Sequence, residues 1–192
     1  MLDRLVIDWE RDSLLFIGDY VDRGPRPVDV IDCLVELKHR HPETIFLRGN
    51  HERMFLDYLS GGDRHVYLAN GGYSTLDGYR KWSTAAGPLQ IPPEHLDFFE
   101  STVLWHETDR YIFVHAGMRP RIPLARQTER DLLWIREDFI RSGYDFGRKV
   151  VFGHTPFKEP LVAPNKIGID TGAVYGHKLT CVELPELIFH QV

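Results

Sequence analysis

Three features of this 192-residue chain predict a layered α/β fold. Apolar runs of four or five residues recur, short enough for strands and apolar enough to be covered on both faces. Segments with helical spacing of apolar residues lie between them. No repeat, low-complexity tract or linker interrupts the alternation, so residues 1–192 read as a single domain with one sizeable core.

Met1 to Ile7 reads as the end of a helix. Leu14-Leu15-Phe16-Ile17 is the first strand. Pro27 suits a first helical position, and Val28, Ile31, Val35 and Leu37 mark a helix to Lys38. Thr44 to Arg48 is the second strand, and Glu52 to Leu59 a short helix stopped by Ser60-Gly61-Gly62. Asn70-Gly71-Gly72 turns the chain before a helix from Ser74 to Trp82. A loop from Gly87 leads to Pro93, which opens a helix through Ser101. Val103 to His106 and Arg110 to Val114 form a strand pair. Thr128 caps a helix running to Ser142, stopped by Gly143. The remaining strands are Lys149 to Phe152, Leu161-Val162, Lys166 to Ile169, Lys178 to Glu183 and Leu187 to His190. Cys33, on a helical face with Val30, Leu34 and Leu37, and Cys181 read as small core residues, not a disulfide.

Four of the strand-like runs are followed at once by metal-ligand side chains. Asp19 follows the first strand, Asn50 the second, His115 the run Tyr111 to Val114, and His154 the run Lys149 to Phe152. Sites in layered α/β folds collect at the carboxyl ends of strands. Residues 31, 65 and 39 positions apart can therefore meet at one point. Carboxylate, amide oxygen and two imidazoles, without a thiolate, suit a hydrolytic Mn²⁺, Fe or Zn²⁺ better than a structural zinc.

Composition narrows the function classes. The net charge is −5, from 23 basic and 28 acidic residues. That argues against nonspecific nucleic-acid binding, which uses a basic surface. Phosphorylated substrates are not excluded, because bound cations dominate the local field. No apolar stretch approaches a membrane span and no signal-peptide layout starts the chain, so a cytoplasmic protein is expected. Oligomeric state has no sequence signal.

The segments Gly18-Asp19-Tyr20-Val21-Asp22-Arg23-Gly24 and Leu47-Arg48-Gly49-Asn50-His51-Glu52 resemble the phosphoprotein phosphatase family of metallophosphoesterases. His115-Ala116-Gly117 and Gly153-His154-Thr155 follow in that family's order. Leu132 to Arg136 and Ile169 to Gly176 are similar to its bacterial serine/threonine protein phosphatase-like branch. The resemblance runs from Leu14 to about Leu184. It implies a four-layer sandwich of two mixed β-sheets flanked by helices. It also implies two divalent metal ions, Mn foremost, with Asp19 bridging them and Asn50, His115 and His154 on the second.

The family pattern opens with a strand and a GDxHG segment that supplies first-metal ligands, and this chain has none. Asp8-Trp9-Glu10 stands too close to the strand at Leu14 for a parallel crossover and reads as a solvated connection. An N-terminally truncated domain lacking its first strand, binding one metal, is therefore expected.

In the resemblance His51 is the general acid, oriented and charged by Asp22. Arg23 and Arg136 match phosphate-gripping positions. Arg48 matches one also, with pairing to acidic groups an equal alternative. Tyr175 borders the site or anchors a turn. Glu52 orients its loop. The implied activity is phosphoserine or phosphothreonine protein phosphatase, by direct attack of metal-activated water. Substrates would be a phosphorylated protein or a small phosphoester. Two alternatives are a diadenosine tetraphosphatase-like hydrolase and a noncatalytic phospho-binding protein, the latter if the first-metal ligands are truly lost.

Overall fold

The computed structural model describes residues 1–81 and 89–192. The expected helix end at Trp82 and the loop start at Gly87 lie outside the described residues. The chain forms two compact units, Ser13–Val103 and Met1–Asp12 with Leu104–Val192.

In the first unit, strands β1 (Leu15–Phe16) and β2 (Ile45–Phe46) pair in parallel, Leu15 opposite Ile45. Helix α1 (Pro27–Arg40) connects them, the crossover a parallel pair requires. Its buried face is Val28, Ile31, Leu34, Val35 and Leu37. Cys33 is exposed, and Val30 with it. That corrects the core reading: at 100° per residue, positions 30 and 33 fall outside the stripe set by 28, 31 and 35.

Helix α2 (Asn50–Leu59) starts two residues earlier than its apolar pattern suggested. Its side-chain cap explains this: Glu52 reaches back to the Gly49 N–H. Helix α3 (Arg64–Ala69) was not expected; Asp63 caps it, accepting from the His65 and Val66 N–H groups. Helices α4 (Tyr73–Arg80) and α5 (Pro93–Ser101) complete the unit. Phe55 is its centre, stacked on Tyr79 at 5.8 Å and edge-on to Phe99 at 5.2 Å. His95 is buried here as a structural residue between the Tyr79 hydroxyl (2.9 Å) and Asp32 (2.9 Å).

The second unit is built on a five-stranded mixed sheet. Its strands are β3 (Trp105–Glu107), β4 (Tyr111–Val114), β5 (Lys149–Phe152), β6 (Leu161–Ala163) and β7 (Lys166–Gly168). The order is β3-β4-β5-β7-β6, with β4, β5 and β7 parallel and both edges antiparallel. The apolar runs at Tyr111 and Lys149 thus occupy the buried centre, as continuous apolar runs should.

The helix expected from Thr128 to Ser142 is two helices, α6 (Glu129–Trp134) and α7 (Glu137–Ile140). Ile135 is extended and Arg136 has φ −131° and ψ −103°. The break lets both Leu132 and Phe139 enter the core of Ile112, Val114, Met118, Val150 and Phe152. Lys166, 1% exposed, ties α7 down by donating to the Phe139, Ile140 and Ser142 carbonyls. A hairpin of β8 (Thr180–Glu183) and β9 (Ile188–Gln191) follows.

Met1 to Ile7 holds only a three-residue 3₁₀ turn, Leu2–Arg4. Asp8, Glu10 and Asp12 are exposed and make a self-contained turn, with Asp8 N–H donating to Asp12 and Glu10 N–H to Asp8. They form the solvated connection the sequence suggested. Among the described residues, no helix is long and apolar enough to cross a membrane.

Candidate active site

Each unit carries part of the predicted site. In the first, the chain leaves β1 and turns through Gly18 (φ 94°), Asp19 (φ 61°), Asp22 (φ 71°) and Arg23 (φ 58°). Three non-glycine residues in the left-handed region are costly, at about 1–3 kcal/mol each, and such strain collects at functional sites.

The buried Glu52 carboxylate holds this loop. One oxygen accepts from the Asp19 and Gly49 N–H groups, both at 2.8 Å; the other accepts from Tyr20 (2.7 Å) and Val21 (3.3 Å). The loop-orienting role read for Glu52 is what the geometry shows. Gly49 is required by close approach. A Cβ there would lie 2.3 Å from Asp19 Oδ1 and 2.4 Å from Asp19 N.

Asn50 and His51 open α2 and are buried. The His51 N–H donates to Asp19 Oδ1 at 3.3 Å. The His51 ring places Nδ1 2.7 Å from Asp22 Oδ2, so the predicted pair is formed. Burial by itself would lower the His51 imidazole. The Asp22 hydrogen bond and the charges of Asp19 and Asp22 outweigh it and raise it above the usual histidine value.

Arg23 is exposed, and its N–H donates to the Gly71 carbonyl at 3.1 Å. Arg48 turns to the end of α5. Its Nε donates to Thr102 Oγ1 at 2.9 Å, and Nη2 to the Phe99, Glu100 and Thr102 carbonyls at 3.1–3.2 Å. The expected acidic partners are replaced by carbonyls and a hydroxyl: the residues at the end of α5 leave backbone acceptors within the guanidinium's reach.

In the second unit, His115 follows β4 and His154 follows β5, neighbouring parallel strands in register at Phe113 and Val151. The Gly153 N–H donates to the His115 carbonyl at 2.7 Å and carries the ladder past the strand ends. His154 then sits at φ 64°. The two buried rings lie 5.1 Å apart between centroids, and the Trp134 ring meets His154 edge-on at 6.0 Å. Gly117 has φ 149°, and a Cβ there would lie 2.3 Å from the Phe139 ring.

Arg136 is exposed at the α6–α7 break instead of on a helix face. Tyr175 is exposed in a 3₁₀ turn between the left-handed Gly172 and Gly176. Its N–H donates to the Gly172 carbonyl at 2.9 Å, so its backbone is part of the turn.

The donors fit a divalent metal. In the second unit, His115 and His154, side by side on adjacent parallel strand ends, are donors of the kind that chelate such an ion; in the first, Asp19 and Asn50 carry hard oxygens on a held loop and a helix start.

Sequence reasoning missed the partners behind Asp22. Its second carboxylate oxygen accepts from the Tyr67 hydroxyl and from Thr75 Oγ1, each at 2.7 Å. Tyr67 lies on the unexpected α3; Asp63 followed by Val66, Tyr67 and Leu68 was the signal for it. Trp134 beside His154 was also missed.

The chain is similar to known proteins over most of its length. The family model described as calcineurin-like phosphoesterase matches residues 1–181. Relatives from Bacillus thuringiensis and Bacillus cereus, each named bis(5'-nucleosyl)-tetraphosphatase PrpE (asymmetrical), are 30% identical over 193 residues. Those matches cover 91% of this chain and 76% of each relative. A crystal structure of a protein assigned provisionally as a diadenosine tetraphosphatase superposes with a TM-score of 0.71 at 21% identity, over 96% of this chain and 82% of that one. A metallophosphoesterase from Sphaerobacter thermophilus gives a TM-score of 0.54 at 20% identity, over 100% and 80%. At such identities the two structures speak to the fold alone.

Proposed function

Because the chain belongs to the calcineurin-like phosphoesterase family, a family of metal-dependent hydrolases, we propose that it cleaves the phosphoanhydride of dinucleoside polyphosphates asymmetrically. The names of the relatives support this substrate class over the protein phosphatase reading drawn from the motifs.

Asp19, Asn50, His115 and His154 are the proposed ligands, with manganese the first metal to test. Divalent cations held there would supply Lewis acidity that acidifies water and polarises a phosphoryl oxygen. Arg23 and Arg136 grip phosphoryl oxygens as charge develops on them.

The observation that carries the hydrolytic reading is the buried His51–Asp22 pair. With Nδ1 2.7 Å from Asp22, Nε2 points away from the carboxylate, as a proton donor to a leaving oxygen must. A noncatalytic phospho-binding protein has no use for such a pair.

The same pair supports a second reading. A nucleotide phosphate leaves with little need of a proton, whereas an alkoxide needs one. A raised, carboxylate-backed His51 therefore also suits phosphomonoesters, including phosphoserine and phosphothreonine.

The test is kcat/KM of the manganese-loaded protein on diadenosine tetraphosphate and on a phosphoserine peptide, with elemental analysis of the wild type and of His115→Ala. Higher kcat/KM on the dinucleotide, with metal lost in the variant, is the expected result. Higher kcat/KM on the peptide overturns the substrate class, and turnover of neither overturns the hydrolase.

A further inference from the structure

Asp22 is 4% exposed and is bonded by Tyr67 and Thr75 as well as by the His51 ring. Its Oδ1 accepts from Tyr67 Oη and Thr75 Oγ1, both at 2.7 Å, and its own N–H donates to Thr75 Oγ1 at 2.9 Å. Its Oδ2 is left for His51 at 2.7 Å. One carboxylate oxygen is thus held by two hydroxyls and the other faces the imidazole.

The hydroxyls are themselves fixed. Tyr67 is 1% exposed, and its ring lies against Phe55 (5.8 Å) and Tyr58 (5.2 Å). A Cβ on Gly72 would lie 2.5 Å from that ring, so α3 folds back onto the turn before α4 with no spare room. Burial, then the Asp22 charge and hydrogen bond, push the Tyr67 phenol well above its usual range, so it stays a donor. Thr75 is fully buried in the first turns of α4. The preceding turn seats the next residue of the loop as well. Gly71 accepts the Arg23 N–H and approaches the Arg23 side chain so closely that a Cβ would lie 2.5 Å from its Cγ.

The geometry points to Tyr67 and Thr75 as positioning residues for the proton-transfer step: a pair of hydroxyls that pins the Asp22 carboxylate so that His51 is held with Nε2 toward the leaving group. Without them a carboxylate on a left-handed backbone (φ 71°) can rotate about χ1 and χ2, and the imidazole loses its fixed partner. The segment from Arg64 to Arg80 is then the support of the acid. This rests on His51 being the proton donor.

The experiment is a leaving-group comparison on the manganese-loaded full chain, with phenyl phosphate (a poor leaving group) and nitrophenyl phosphate (a good one). The variants are Tyr67→Phe, Thr75→Val, Thr75→Ser and His51→Asn. Tyr67→Phe and Thr75→Val should each lower kcat on phenyl phosphate roughly 10-fold, the low end for groups that orient an active-site histidine. Nitrophenyl phosphate should be nearly unaffected, and Thr75→Ser should stay near wild type. In the His51→Asn background Tyr67→Phe should add no further loss, which a merely structural role would not produce. If His51→Asn is selective for phenyl phosphate but Tyr67→Phe and Thr75→Val slow both esters alike, or still slow the enzyme in the His51→Asn background, the positioning role is wrong. If His51→Asn slows both esters by one factor, or neither ester is turned over by the wild type, the proton-donor reading fails first and takes the proposal with it.

Discussion

The loop carrying Asp19, Asp22 and Arg23 and the strand ends carrying His115 and His154 are fixed by different means. The loop has no sheet beneath it after Phe16. Side chains hold it: Glu52 takes four of its neighbouring N–H groups, and Tyr67 and Thr75 take Asp22. The two histidines need little of this. Parallel pairing of β4 with β5 sets their spacing, and one further backbone bond, Gly153 to His115, carries it beyond the strands. A site part fixed by side chains is exposed to point substitution. A part fixed by backbone is exposed mainly to changes that displace strands or helices.

The largest expected effect follows from removing the loop's central acceptor. Glu52→Ala would orphan N–H groups of Asp19, Tyr20, Val21 and Gly49. At about 1–3 kcal/mol for each buried group left without a partner, a loss of more than about 3 kcal/mol is expected in urea unfolding. Amide exchange should rise across 18–24 and hardly change at 113–115. Equal change in both places would erase the distinction between the two parts.

Gly117→Ala tests the backbone-fixed part. Its Cβ must displace the Phe139 ring, and φ 149° disfavours alanine. Overpacking of this kind costs about 1–3 kcal/mol. The shift should be felt in metal affinity through His115, two residues away, while the His51–Asp22 pair keeps its geometry. An unchanged melting temperature and unchanged metal affinity would show that Phe139 yields freely.

The smallest effect lies under the histidine part, at the α6 cap. Burial pushes the Asp131 carboxyl up, but the Thr128 hydroxyl, the Arg119 guanidinium and the Thr128 N–H outweigh it and hold it low. A carboxyl held low in the folded state adds stability that is complete above its unfolded value, about pH 4, and lost as pH falls through the folded value. Thr128→Ala should cost about 0.5–2 kcal/mol at neutral pH. It should also flatten the fall in stability below pH 4, measured by thermal melts across pH. A parallel offset at every pH would mean the cap acts without the carboxylate.

Much of the candidate site was legible because the side chains proposed as ligands are tied to local features. A ligand at the end of an apolar run is visible without knowing where the strand goes. Asp19, Asn50, His115 and His154 were singled out that way, and His51 and Asp22 by their place in the same motifs. What the pattern could not give was the use of a long side chain. Arg48 has the same formula whether it reaches a phosphate or the α5 carbonyls, and the backbone bridge of Leu47 and Arg48 to Val103, which sets the end of α5 beside it, sends it to the carbonyls. The α6–α7 break was hidden for a related reason. Leu132, Trp134 and Ile135 continue a helical spacing, but Leu132 and Phe139 both reach one core only if the chain straightens at Ile135.

The sequence by itself determined the buried central strands, the order of elements apart from α3 and the α6–α7 break, and where Asp19, Asn50, His51, His115 and His154 stand relative to those elements. These depend on apolar periodicity and on residues a few positions apart, which the chain carries locally. The tertiary structure alone decided that Tyr67 and Thr75 stand behind Asp22, that Glu52 gathers four N–H groups, and that His95 lies between Tyr79 and Asp32. Hydroxyls and carboxylates are common along any chain. Which of them meet is set by how α1 to α5 pack, and apart from the Gly49–Glu52 bond the contacts span 16 to 63 residues in sequence.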